Sequence, residues 1–153
     1  MEWGVVVAAD RGAEWLLKWW WECYSRHHKE PVAFIDFGMS EEARKWCEAR
    51  GKVIPFEGGD FVKAKDELSI QQQQKWEGIY GVKVWEARKS WFKKPLAMLQ
   101  SPFEKSVWMD LDCEVCQPID GIFEGVEKIG PFVRGAFLFS VLCLGIFGGV
   151  RVP

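Results

Sequence analysis

Histidine is nearly absent from this sequence. Its two copies, His27 and His28, are adjacent and none follows them. Neighbouring helical side chains diverge by about 100°, so the pair does not naturally share one metal ion. An excess of either charge is missing too. Lys and Arg number 20 against 22 Asp and Glu, a formal net charge of −2. That balance lacks the basic footprint of a polyanion binder, so nucleic acid is not expected as a partner. Met1 to Arg11 has no basic stretch leading into an apolar one, which argues against a secretory leader. The five cysteines are an odd number without a regular framework, as suits a reducing compartment, and the expected location is cytoplasmic. No internal repeat is visible. What is present is a chain of 153 residues, 48% hydrophobic and 27% charged. That is enough for one well-formed core and too little for two ordinary domains. Ten tryptophans stand out. They serve either as rigid core residues or as aromatic surfaces for a ring-shaped ligand.

The apolar pattern alternates between strand and helix. Trp3 to Ala9 is a continuous apolar run ending at Asp10, as in a strand buried on both faces. Glu14 to His28 carries Leu16, Trp20 and Cys23, and Leu17, Trp21 and Tyr24, at helical spacing. Trp15, Trp19, Trp20 and Trp21 are read as core residues of that helix. Val32 to Phe37 is a second strand. Ser40, followed by Glu41 and Glu42, has the form of a helix start, and that helix stops at Gly51. Lys52 to Phe56 is a third strand. Residues 3 to 56 therefore read β-α-β-α-β, which implies parallel strands and right-handed crossovers. Such a sheet takes its ligands at the carboxyl ends of its strands, where Asp10 and Asp36 lie. Glu57 to Gly78 reads as the least regular stretch, with Gln71 to Gln74 open to reading as a solvated helix face, Gly81 to Trp85 as a short strand, and Ser90 to Leu99 as a helix with Pro95 at a kink or in an early turn. Ser106 to Leu111 reads as a further buried strand, and Pro118 to Glu124 as a helical turn. The expected fold is three-layer α/β/α with a mostly parallel, Rossmann-like sheet and helices on both faces.

The chemistry concentrates at Asp110-Leu111-Asp112. Side chains alternate along a strand, so two carboxylates at i and i+2 share a face while the strand stays regular. Adjacent carboxylates repel, and they call for a proton or a cation between them. A hard divalent ion with oxygen ligands, Mn2+ or Mg2+, is the natural partner, and an ion held by so few carboxylates usually also holds phosphate oxygens.

Ser106 to Val115 (SVWMDLDCEV), preceded by Lys94-Pro95-Leu96-Ala97 and Ser101-Pro102-Phe103, resembles the metal-binding segment of GT-A-type glycosyltransferases, glycogenin-like enzymes among them. Val7-Ala8-Ala9-Asp10 resembles their first strand, which ends on the uridine. The resemblance implies a GT-A nucleotide-diphospho-sugar fold and sugar transfer from a donor, UDP-linked by expectation. It implies that Asp110 and Asp112 hold the divalent metal, that Ala8 and Asp10 meet the nucleoside, and that Lys94 lies near the phosphates and Asp110. Taken alone, Lys94 also reads as a solvated lysine beside Lys93, and Asp10 as a solvated carboxylate at a strand end.

The departures are equally specific. These enzymes carry an acceptor half, often with a further metal-binding His, and no His follows Asp112. The chain therefore reads as a donor-binding region over 1–128, with a largely uncharged, apolar segment over 129–153. That makes it a transferase with an abbreviated acceptor half, its acceptor and catalytic residues unassigned, or a donor-binding remnant acting through interaction. Residues 135–150 carry no charge and fit burial in the sheet, a membrane surface or a protein partner. Asp110 and Asp112 also resemble the nucleophile and general acid of haloacid-dehalogenase-like phosphatases, although that pattern wants Thr or Val where Glu114 stands. Cys113-Glu114-Val115-Cys116 has redox spacing, but it overlaps the Asp pair and reads as coincidence.

Overall fold

The computed structural model describes residues 3–59, 63–116, 118–119, 121 and 150–151. Its centre is a four-stranded parallel sheet of β1 (Trp3–Ala9), β2 (Val32–Asp36), β3 (Lys52–Pro55) and β4 (Lys105–Trp108), in the order β3-β2-β1-β4. β1 lies between β2 and β4, with Val7 beside Phe34 and Val6 beside Trp108. An inner strand with both faces covered must be apolar on both, and Val5, Val6 and Val7 are completely buried.

The two faces receive different helices. Val5, Val7 and Ala9 join Val32, Phe34 and Val107 under α1 (Leu17–Ser25) and α2 (Glu41–Glu48), which contribute Leu17, Trp20, Tyr24 and Cys47. On the opposite face Val6, Ala33, Ile35 and Trp108 pack against Ala97 and Met98 of α4 (Val84–Leu99). The chain is thus the expected three-layer α/β/α arrangement. The α1 region opens with a 3-10 turn, Glu14–Leu16, so the expected helix is shorter and tighter at its start. Trp20 belongs to the core, stacked on Tyr24 at 4.9 Å. Trp15 and Trp19 do not: they are exposed, so their reading as core is corrected. A three-residue Trp run spans about 200° of helix circumference, more than one sheet face can cover.

Residues 57–85 also depart from expectation. In place of an irregular stretch there is a 3-10 turn, Lys65–Glu67, and then a helix α3 (Ile70–Tyr80). Ser69 and Gln72 cap α3 reciprocally. Ser69 Oγ accepts the Gln72 N–H at 3.3 Å, and Gln72 Oε1 accepts the Ser69 N–H at 3.1 Å. The expected strand at Gly81–Trp85 does not form. Gly81 adopts φ 76°, which ends α3, and α4 begins at Val84. Pro95 therefore lies inside α4, and not in an early turn. β4 is shorter than expected and stops at Trp108. β5 (Glu114–Val115) pairs antiparallel with β6 (Val150–Arg151). Most of the helical turn read over 118–124, the boundary at 128/129 and nearly all of the apolar segment lie outside the described residues. No helix among the described residues is long and apolar enough to cross a membrane.

Candidate functional site

From β1 the sheet grows outward through β2 to β3, and the chain then returns to lay β4 on the other side of β1. The chain leaves β1 for α1 on one face, while β4 is fed by α4 on the other. Such a reversal opens a crevice at the carboxyl ends of the two strands. Asp10 follows β1 there, and Asp110 follows β4.

The two aspartates are used differently. Asp10 Oδ1 accepts the N–H groups of Gly12 and Ala13, both at 2.9 Å, which folds the chain into the turn before α1. Asp36 repeats the device after β2. Its Oδ1 accepts from Gly38 and Met39 at 2.8 and 2.7 Å, and its Oδ2 pairs with Arg44 at 2.8 Å. Glu14 joins the two loops by accepting the Ser40 N–H at 2.6 Å. Asp110, in contrast, makes its described side-chain bonds to side chains. Its Oδ1 accepts from Lys94 Nζ at 2.6 Å and from the Trp108 indole N–H at 2.8 Å.

Lys94 reaches across from α4, and the pair is partly buried, its side chains 34% and 24% exposed. The sequence placed Lys94 near Asp110 through the resemblance, and the two do meet. Trp108 was not foreseen as a site residue. It stands two residues before Asp110 on a strand, and that spacing puts both side chains toward α4. Beyond Trp108 the strand gives way to a turn closed by the Cys113 N–H on the Asp110 carbonyl at 3.1 Å. The regular strand expected through Leu111 is therefore lost, yet alternation survives. Met109 and Leu111 enter the core under α1, Asp110 faces α4, and Asp112 is exposed. Ala8, also a candidate, is half-buried on the α4 side of β1 beside the cluster holding Ala97 and Trp108.

Among the described residues no three His, Cys, Asp or Glu side chains converge as a ready-made metal cage. The donor set fits a different kind of metal site. Both described bonds to Asp110 fall on Oδ1, which leaves Oδ2 without one, and Asp112 is solvent-facing. Two such carboxylates suit Mg2+ or Mn2+ arriving with a ligand's phosphates, because ions of this kind keep water and phosphate in most of their coordination positions.

The other candidates have structural employment. His28 is buried, stacked on Tyr24, with Nδ1 2.9 Å from Glu30 and Nε2 accepting the Ile119 N–H at 2.9 Å. That geometry makes Nδ1 the protonated nitrogen and His28 a clamp between the end of α1 and the segment after β5. Burial opposes ionisation of Glu30, but hydrogen bonds from its own and the Lys29 backbone and from His28 prevail and hold its pKa below the usual value. Cys113 is buried and Cys116 exposed, on either side of β5. Burial, followed by the nearby Glu114, pushes the neighbouring Cys23 thiol up, which is not the environment of a reactive dithiol.

No protein-family model matches the chain, and no curated protein matches it. Solved structures do overlap it. A galactosyltransferase, LgtC, in complex with donor and acceptor sugar analogs is 17% identical over 79% of this chain and 42% of its own length, with a TM-score of 0.43. An active-site mutant of LgtC is 15% identical over 79% and 41%, with a TM-score of 0.41. The chain thus spans about two fifths of the length of these structures.

Proposed function

We propose that the crevice between β1 and β4 binds a nucleotide-diphospho-sugar, UDP-linked, together with Mn2+ or Mg2+, and that the chain is the donor-binding part of a glycosyltransferase. The observation that carries this reading is the partly buried Lys94–Asp110 pair at the strand-order reversal. There a carboxylate is held by side chains and is not spent on closing a loop. Asp110 through Oδ2 and Asp112 would supply oxygen ligands to the metal, which when bound neutralises diphosphate charge. Lys94 adds a fixed positive charge from the α4 side. As a glycosidic bond to diphosphate breaks, negative charge grows on the leaving group, and preorganised cations stabilise it without reorganisation. Asp10, its orientation set by the Gly12 and Ala13 amides, stands at the nucleoside end beside Ala8. The sugar's acceptor is left open.

Calorimetry with UDP, with and without Mn2+, tests the reading. Metal-dependent binding is expected, and the double substitution Asp110→Asn, Asp112→Asn should abolish it. Binding indifferent to metal, or retained in the double variant, rejects the assignment of these carboxylates. Turnover of an aryl phosphate that disappears with Asp110→Asn would replace it with aspartyl-phosphate chemistry.

A further inference from the structure

Arg88, in the second turn of α4, is 91% buried, its relative exposure being 9%. Its surroundings are aromatic. The guanidinium lies 5.0 Å from the centre of the Trp76 ring and 5.6 Å from those of Trp85 and Phe92. Among the described residues one side-chain hydrogen bond is formed, from Nη1 to the Lys63 carbonyl at 3.2 Å, and the buried Nε–H finds no partner there. Ring faces attract a cation but accept no conventional hydrogen bonds, whereas a guanidinium presents five N–H donors in a planar fork. A desolvated charge that no described carboxylate meets is strongly unfavourable, so such a group calls for a counter-ion. The described carboxylate that shares Trp85 with Arg88 is Glu77, and its described bonds go to other partners. Its Oε1 takes Lys65 Nζ at 2.6 Å and the Trp85 indole N–H at 2.7 Å.

We infer that Arg88 anchors an oxyanion site of its own, at the angle between α3 and the start of α4, which receives a phosphate or carboxylate group of a small ligand. A planar anion can engage Nε–H and an Nη–H together, the bidentate geometry for which arginine is selected. The site is separate from the Lys94–Asp110 pair. Arg88 precedes Lys94 by six residues, about 9 Å along the helix axis. Their directions around the axis differ by about 120°. The inference does not rest on the nucleotide-sugar reading.

Side-chain Nε–H resonances of arginine in 15N-labelled full chain provide the test. Sodium phosphate and sodium acetate are titrated in separate arms, against sodium chloride at matched ionic strength. The Arg88 signal, identified by its loss in Arg88→Lys or by through-bond assignment should that variant not fold, is expected to move saturably. Half-saturation should come at a concentration about tenfold or more below any chloride effect, as the added hydrogen bonds to a charged group imply. Response to phosphate alone assigns a phosphoryl ligand, and response to both includes carboxylates. Asp110→Asn should leave the titration unchanged. A linear drift matching chloride overturns the site. So does a saturable shift that vanishes in Asp110→Asn, which would mean that the anion binds at the β1–β4 crevice.

Discussion

Lys94→Met separates the two roles assigned to the lysine, because its effects on three measurements differ in sign. In the folded chain it removes one of the two described partners of Asp110 Oδ1 and leaves the 2.8 Å indole bond. A charge-assisted bond of this kind, discounted for side chains 34% and 24% exposed, contributes about 1–2 kcal/mol. For a chain of this size that lowers Tm by about 2–8 °C. A double-mutant cycle with Asp110→Asn in urea should return a coupling of about 1 kcal/mol. Mn2+ alone should bind more tightly to Lys94→Met, since a competing cation has left the carboxylate. UDP in the presence of Mn2+ should bind less tightly, since the diphosphate loses a fixed positive charge. Each change is expected at about tenfold, equivalent to about 1.4 kcal/mol. Zero coupling to Asp110 would refute the pair as a stabilising contact. Parallel weakening of Mn2+ and of UDP would refute the competition between lysine and metal for one carboxylate.

Gly51→Ala should destabilise by about 2 kcal/mol or more in urea denaturation, because a Cβ there would stand 2.2 Å from the Val32 carbonyl oxygen, and backbone cannot step aside as a side chain can. Gly59→Ala, with nothing within 4 Å of its Cβ, should be neutral or slightly stabilising in the same assay. Ser40→Ala should cost about 1 kcal/mol, because Ser40 Oγ accepts the Ala43 N–H at 3.2 Å and caps α2. Burial pushes the Cys47 thiol from 9.0 up to about 12, with nearby acids adding to the rise and Arg50 opposing it. The folded state therefore holds that proton where the unfolded chain has released it. Stability from this group is complete below the unfolded value, falls above about pH 9, and is gone once pH passes the folded value near 12. Cys47→Ala should remove that alkaline slope from urea midpoints measured across the range. Maleimide labelling at pH 8 should modify exposed Cys116 and spare Cys47, and rapid labelling of Cys47 would contradict its burial.

Residues 3–56 were legible because each element there carries a signal of its own. A strand covered on both faces shows as an unbroken apolar run, and Trp3 to Ala9 is bounded to the residue. Ser40 with Glu41 and Glu42 marks a helix start by capping and dipole chemistry, and α2 begins there. α3 showed only as one option, a solvated helix face at Gln71 to Gln74, because that run leaves its first turns without an apolar stripe and periodicity had little to register. The signal that would have found it is the Ser69-x-x-Gln72 box, with Gly81 as its stop. Residues 81–85 misled because Val82 and Val84 alternate as in a strand, while the positive φ of Gly81 instead turns the chain into α4. At the site, Asp110 was visible as a carboxylate ending an apolar strand. That Lys94 would reach it depends on the path of α4 over the sheet, which no spacing within either segment encodes. The resemblance supplied that pairing. Arg88 passed unnoticed because an arginine in a helix is ordinarily solvated, and only packing places it among Trp76, Trp85 and Phe92.

The strand-end aspartates themselves give a reason to separate architecture from chemistry. Asp36 is fully occupied: two backbone amides and Arg44 fill its oxygens, and its side chain is 8% exposed. Its geometry closes the loop between β2 and α2 and needs nothing further. Asp10 closes the corresponding loop after β1 with Oδ1, so replacing it would disturb the turn whether or not a ligand ever meets it. Loss of binding in Asp10→Ala would therefore be ambiguous between the two roles. Asp110 closes no loop with its side chain among the described contacts, because the turn after it is held by its main-chain carbonyl, which Asp110→Asn retains. Asparagine can still accept from Lys94 and Trp108 through its amide oxygen, while the negative charge is gone. Substitution at position 110 thus removes charge and keeps architecture, and it is the position where a change in metal-dependent binding can be read as chemistry.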